Sequence, residues 1–86
     1  MHVTFHKYFE KRFDKLPNKI KLKTTERIGL FRTDPFAAIL DNHPLGGKYK
    51  GKRSIDITGD YRAIYRPIDK DFALFVHIGT HGQLYK

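Results

Sequence analysis

The chain contains no cysteine and no tryptophan among its 86 residues. Without cysteine it can form neither a disulfide nor a thiolate metal site. No apolar run approaches the length that spans a membrane, and the N-terminal residues turn polar at once instead of forming a signal segment. We therefore expect a cytoplasmic protein with no membrane contact.

Acidic residues are also scarce. The chain has nine Asp and Glu against 17 Lys and Arg, which gives a formal net charge of +8. Net charge bears on partners and not on fold. The partners that suit a small basic protein are nucleic acid or an acidic protein, and the alternative is a basic protein with no anionic ligand.

The length corresponds to one domain, residues 1–86, near the lower end of what folds alone. Seven Phe and five Tyr must supply much of the buried area. Such a core is thin, so we expect a functional site on the surface and not in a deep pocket.

The N-terminal half has a helical period, after a short strand at residues 1–4. Spacings of three and four residues are typical of amphipathic helices. They occur at Phe5, Phe9, Phe13 and Leu16, and again at Ile20, Thr24, Ile28 and Phe31. Pro17 ends the first pattern, and so tight a link predicts an antiparallel helical hairpin.

The C-terminal half predicts three strands, at residues 49–57, 61–68 and 72–78, joined by short turns that require antiparallel pairing. The order β-α-α-β-β-β predicts an α+β fold. The helical hairpin would pack on one face of an antiparallel sheet, which the first strand also joins. In the last strand we expect one face to carry Phe72, Leu74, Val76 and Ile78, and the other Ala73, Phe75 and His77.

A row of cations begins the first of these strands. Lys48, Lys50 and Lys52 alternate at strand period, and Arg53 follows them. Cations that share one face of a strand can follow a phosphate backbone. The alternative is that the lysines protect a sheet edge from aggregation.

Two histidines flank the strands in places where a core needs no imidazole. His43 lies in a Pro/Gly loop and His81 in a Gly-Thr-His turn. Imidazole exchanges a proton near neutral pH. An acid–base pair of this kind allows a ribose 2′-hydroxyl to attack the adjacent phosphate without a metal. The histidine spacing is not typical of metal ligands, so we expect neither a metal nor a cofactor.

Arg62 is a candidate for stabilising the phosphorane of such a reaction. Its guanidinium offers a fork of donors to phosphate oxygens that gain charge. The alternative is a structural ion pair with Asp56 or Asp60. Tyr61 and Tyr85 supply rings on which a base could stack.

Three ordered motifs resemble the RelE superfamily of bacterial toxins, and within it the YafQ branch. They are the run from His43 to Ile55 (His-Pro-Leu-x-Gly-x-Tyr-Lys-Gly-x-Arg-Ser-Ile), Gly59-Asp60-Tyr61-Arg62-x-Ile64-Tyr65, and Gly79-Thr80-His81-x-x-Leu84-Tyr85. The resemblance implies a type II toxin–antitoxin toxin. Such a toxin is an mRNA interferase that cleaves message in the ribosomal A site and is silenced by a cognate antitoxin.

The resemblance also implies roles for individual positions. His43, Asp60 and His81 match catalytic residues of the YafQ branch, and Arg62 matches an arginine that RelE toxins use at the scissile phosphate. Tyr85 matches the terminal aromatic, and Tyr61 stands where an aromatic lies beside the catalytic aspartate. Two positions depart from the pattern: YafQ-like toxins often have a histidine in place of Asp56 and an arginine in place of His77.

We therefore predict a metal-independent endoribonuclease that acts on mRNA and the ribosome, is a monomer on its own, and pairs with an antitoxin. The predicted catalytic residues are His43, Asp60, Arg62, His81 and Tyr85. The predicted RNA-binding residues are Lys48, Lys50, Lys52, Arg53, Tyr61 and His77. Two alternatives remain open: a ParE-like toxin that inhibits gyrase without nuclease activity, and a basic RNA-binding module without catalysis.

Overall fold

A five-stranded sheet is the frame of the protein. The computed structural model describes residues 1–85, and its strands are β1 (His2–Phe5), β2 (His43–Pro44), β3 (Arg53–Asp56), β4 (Tyr61–Asp69) and β5 (Phe72–Thr80). They lie in the order β1-β5-β4-β3-β2. The helices are α1 (Lys7–Asp14), α2 (Asn18–Thr33) and the short α3 (His81–Leu84). The predicted α+β fold is confirmed.

The prediction of a fully antiparallel sheet is wrong, because the sheet is mixed. Strands β2 to β5 pair antiparallel with their neighbours, whereas β1 runs parallel to β5. β1 pairs only with Phe72 to Phe75, the first half of β5. The chain then turns into α1, whose N-cap His6 accepts a hydrogen bond on its side chain from the Tyr8 N–H. α1 packs against β5.

The core lies between the sheet and the first two helices. Phe75 is fully buried at its centre, with the rings of Phe9, Phe31 and Tyr65 at centroid distances of 5.8, 5.2 and 5.3 Å. Thr24 is also fully buried on α2, and its hydroxyl donates to the Ile20 carbonyl at 2.7 Å. That bond satisfies a polar group that would otherwise be costly inside a core. We call the side of the sheet that these helices cover the helix face, and the opposite side the site face.

The predicted facing of β5 is wrong beyond Phe75. Tyr65 pairs with Phe75 and Ile64 with His77, so Val76 is an extra residue that forms a bulge. A bulge shifts the alternation of the strand by one position. Ile78 therefore joins Phe75 in the core instead of opposing it, and His77 lies on the site face.

The predicted strand at residues 49–57 is also wrong in its first half. A 3₁₀ turn occupies Gly47–Tyr49, and β3 begins only at Arg53. Gly47 and Gly51 have φ of 58° and 88°, a region that interrupts an extended chain and that glycine adopts without strain. Residues 46–52, the lysine loop, are closed at their base by a hydrogen bond from the Leu45 N–H to the Lys52 carbonyl at 3.0 Å. The three lysines consequently share no strand face.

The other predicted elements are close to those observed. A 3₁₀ turn at Ala38–Leu40 follows Asp34-Pro35. The Pro/Gly loop predicted around His43 contains the two-residue strand β2. No helix within residues 1–85 is long and apolar enough to cross a membrane.

Candidate active site

Four residues form a row across the site face. His43 pairs with Ser54, Ser54 with Ile64, and Ile64 with His77. Directly paired residues project to the same side of a sheet. At the usual strand spacing the backbones of His43 and His77 lie roughly 14 Å apart. The imidazoles that the sequence places in distant segments therefore stand at the two ends of one row.

His43 is held by the residue two positions before it. Its Nδ1 lies 2.7 Å from the Asp41 carbonyl oxygen. A carbonyl oxygen only accepts, so Nδ1 carries the proton and donates it, and Nε2 of the neutral ring is left as an acceptor. Asp41 has φ of 44°, a left-handed conformation that Asp tolerates better than most residues. This turn aims the acceptor nitrogen of a half-exposed histidine away from the backbone.

Arg62 lies beside this histidine within a group of acidic side chains. It forms an ion pair with Asp56 at 2.9 Å, lies 3.4 Å from the Ser54 hydroxyl, and lies 3.9 Å from the Asp41 carboxylate. The same Asp41 oxygen is 3.8 Å from His43 Nδ1. The predicted ion pair with Asp56 is thus present. It fixes the guanidinium while leaving 24% of the Arg62 side chain exposed.

Asp41 was not among the predicted site residues, although it links His43 to Arg62. The signal in the sequence was weak, because an Asp before a Pro/Gly loop usually serves the turn alone. Only the register that pairs β2 with β3 and β3 with β4 brings its carboxylate between the His43 ring and the Arg62 guanidinium.

His81 and Tyr85 lie at the two ends of α3. Thr80 and Gln83 form a reciprocal capping box that starts the helix. The His81 N–H donates to the Asp60 carbonyl at 3.0 Å, and the His81 ring contacts the Tyr85 ring with centroids 4.7 Å apart. The bond between Asp60 and His81 joins backbone groups. It holds the β3–β4 turn against the helix and leaves the exposed imidazole free for solvent.

Tyr49 joins the lysine loop to α3 and was also missed as a site residue. Its hydroxyl donates to the Leu84 carbonyl at 2.7 Å, and its ring is perpendicular to that of Tyr85 at 5.8 Å. The Tyr49 ring is 5.5 Å from the His77 ring, and the Lys48 ammonium lies 5.1 Å from its centroid. Burial, and then the neighbouring Tyr85, raise the pKa of the Tyr49 hydroxyl. Tyr49 is the one aromatic residue in a Gly/Lys-rich segment, and this was the feature of the sequence that could have identified it.

His77 is a neutral group in a basic environment. Burial lowers its pKa below the ordinary value of 6.5, and nearby positive charges lower it further; these are Lys52, His6, Arg12 and Lys48. Two members of the predicted lysine row, Lys48 and Lys52, therefore do lie near the site, although from a loop. Lys50 is exposed on the same loop.

Two predicted RNA-binding residues are not brought to the site face. Tyr61 packs against the core on the helix face. Arg53 pairs with Tyr65 on that same face, donates from Nε to the Asn42 side-chain oxygen at 2.8 Å, and stacks on Phe36 at 5.3 Å. Strand alternation separates both from Arg62. No group of three or more metal-binding side chains occurs within residues 1–85.

Comparison with solved structures defines the class of the fold. The chain is similar to a YoeB/ParE toxin from Agrobacterium tumefaciens, with a TM-score of 0.76, 20% identity, and coverage of 94% of this chain and 99% of that one. It is also similar to YafQ from E. coli strain BL21(DE3), with a TM-score of 0.82, 23% identity, and coverage of 98% and 97%. The fold is that of small bacterial toxins.

Sequence comparison identifies the family within that class. The family model for the bacterial toxin of type II toxin–antitoxin system, YafQ, matches residues 1–86. The mRNA interferase toxin YafQ of Escherichia coli K12 is 37% identical over 68 residues, which are 79% of this chain and 71% of the relative. The chain belongs to the YafQ family of toxins, which confirms the resemblance read from its motifs.

Several of the similar structures are complexes with a partner, among them a YoeB–YefM complex from Staphylococcus aureus. The E. coli DinJ–YafQ toxin–antitoxin complex matches with a TM-score of 0.79 and 25% identity, and covers 98% of this chain and 96% of that YafQ chain.

Proposed function

We propose that this protein is an mRNA interferase, a metal-independent endoribonuclease that acts on ribosome-bound message in the cytoplasm. The observation that carries the proposal is the contact between His43 and the Asp41 carbonyl oxygen, 2.7 Å from Nδ1, which engages Nδ1 as a donor and turns Nε2 away from this bond. A general base needs a free acceptor nitrogen within reach of the proton that it removes.

In the proposed reaction His43 Nε2 takes the proton of a ribose 2′-hydroxyl. The 2′-oxygen forms a bond to the adjacent phosphorus, and the bond from phosphorus to the 5′-oxygen breaks. His81, in its protonated form, gives a proton to the departing 5′-oxygen. The products are a 2′,3′-cyclic phosphate and a free 5′-hydroxyl.

Arg62 is proposed to stabilise the phosphorane between these two groups. It pairs across the sheet with Gly79, two residues before His81, and its guanidinium is linked through Asp41 to His43. A fixed cation at the position where charge develops is a strong contribution to catalysis. Asp60 and Tyr85 are proposed to act through His81: Asp60 holds its backbone, and Tyr85 supports its ring.

A cognate antitoxin is proposed to bind and silence this toxin, as its relative YafQ is seen in complex with DinJ. The net charge of +8 suits an acidic segment that folds on binding.

The experiment compares His43→Ala and His81→Ala with His2→Ala. His2 is a matched control because it is an exposed histidine on β1, at the sheet edge away from β2. Expression of the parent and of His2→Ala should arrest growth and create new 5′ ends in a reporter message, mapped by primer extension. The other two variants should do neither. Message cleavage by His81→Ala at the parent rate, or DNA breaks without message cleavage, would overturn the proposal.

A further inference from the structure

α1 has a second face that the core does not use. Tyr8, Lys11, Arg12 and Lys15 follow one another at helical spacing along it. The core-facing residues Phe9 and Phe13 lie on a different side of the same helix. Tyr8 is 58% exposed, which is unusual for a large aromatic with no packing role in the core.

This second face is one wall of an open groove of about 360 Å³. The other wall is formed by Tyr49, His77 and Ile78 together with Gln83 and Leu84 of α3. Tyr49 and His77 also belong to the candidate active site. The groove is therefore continuous with that site and leads away from it along α1.

The charge of the groove has a single sign. Among residues 1–85, its ionisable lining residues are Lys11, Arg12, Lys15, His77 and two tyrosines, with no carboxylate among them. The acidic residues of α1, Glu10 and Asp14, line a separate apolar groove between α1 and α2. Burial is the main cause of the lowered pKa of His77, and the positive charges of Lys52, His6, Arg12 and Lys48 lower it further, in agreement with this lining.

We propose that this basic groove binds a single-stranded RNA segment flanking the cleaved phosphate, an inference that rests on the proposed nuclease function. Single-stranded nucleic acid is bound where cations follow the backbone and exposed aromatic rings accept stacked bases. Lys11, Arg12 and Lys15 supply the cations, and Tyr8 supplies an exposed ring beside them. An acidic protein segment would use the cations but would have less need of the exposed ring.

The test measures the binding of a fluorescein-labelled RNA of about 12 nucleotides, within the usual site size. Its 2′-O-methyl groups prevent cleavage. The Lys11→Gln/Lys15→Gln double variant is compared with Lys19→Gln/Lys70→Gln, which removes the same charge from exposed positions outside the groove. Loss of two phosphate contacts should reduce the salt slope by about 1.4 and weaken binding on the order of 20-fold at about 0.1 M salt. The control pair should bind like the parent.

Tyr8 gives an independent measurement. Tyr8→Ala should weaken binding about tenfold, as expected for the loss of one stacked base, and Tyr8→Phe should restore it. These side chains are exposed, so thermal unfolding should be little changed. Equal weakening in both lysine pairs, or unchanged RNA binding by the groove variants alongside lost antitoxin binding, would overturn the inference.

The two proposals fail in different ways. If the parent cuts no message but its RNA binding depends on the groove, the nuclease function is refuted and the groove stands. If the parent cuts message and the groove variants bind RNA as the parent does, the groove alone is refuted.

Discussion

Replacement of Tyr49 tests whether one residue of the lysine loop positions α3. Tyr49→Phe removes only the hydroxyl that donates to the Leu84 carbonyl at 2.7 Å. A hydrogen bond of this kind contributes about 1 kcal/mol net, which corresponds to a fall in Tm of about 4–8 °C for a domain of this size. The ring remains, so its contacts with Tyr85 and His77 persist.

Tyr49→Ala removes the ring as well. Two aromatic contacts at about 0.5–1.5 kcal/mol each and one cation contact of about 0.5–1 kcal/mol are lost in addition to the hydrogen bond. Because Tyr49 is only half-buried, we expect a total near the lower end of that sum, about 2–3 kcal/mol. Tyr85 and His77 then lose a shared support.

The assay pairs thermal unfolding with message cleavage measured well below both unfolding temperatures. Tyr49→Phe should cleave within a few-fold of the parent. Tyr49→Ala should lose about a hundredfold in kcat with little change in KM, because small misplacements of reacting groups cost that much. If Tyr49→Ala unfolds at the parent temperature, or if the phenylalanine variant loses as much activity as the alanine variant, Tyr49 does not position α3.

Two further predictions concern the residues around this site. Asn42→Ala should lower the free energy of unfolding by about 3 kcal/mol in urea titrations. The change removes the acceptor for Arg53 and leaves the hydroxyl of the buried Tyr65 (3% exposed) without its donor. A loss below about 1 kcal/mol would contradict this account. His77→Gln should reduce the loss of stability on acidification. The pKa of His77 is lowered by folding, so its contribution is complete above the unfolded value of 6.5 and is lost as the pH falls through the lower folded value. Urea unfolding at about pH 7.5 and pH 5.5 measures the loss of stability on acidification in the parent, in His77→Gln and in a His2→Gln control. If the free energy of unfolding of His77→Gln falls as steeply as that of the parent and the control, His77 does not cause the loss.

Local patterns in the sequence were sufficient for the class of fold and for the family. Helical spacing of apolar residues and strand alternation depend on neighbours a few positions away, so they predicted α1, α2, β4 and most of β5. The Gly-Thr-His motif and the His43 loop are likewise contiguous. They made His43 and His81 candidate site residues from the sequence alone, and the Gly-Asp-Tyr-Arg motif did the same for Arg62.

Other features depended on a single residue whose effect the pattern did not reveal. The extra residue Val76 moves His77 to the site face and Ile78 into the core. Gly51, with φ of 88°, helps to turn a predicted strand into a loop. The alternation of apolar and polar residues does not show whether a strand contains a bulge, because the position of a bulge depends on the register with the neighbouring strand.

Only the tertiary structure decided which distant residues lie together. The link from Asp41 to Arg62, the bond from Tyr49 to Leu84, and the groove between α1 and α3 each join segments separated by many residues. The sequence by itself determined the chemical groups and their family. The sheet register and the packing of α1 beside β5 determined which of them meet, because those contacts arise from burying the apolar faces of elements that are remote in the chain.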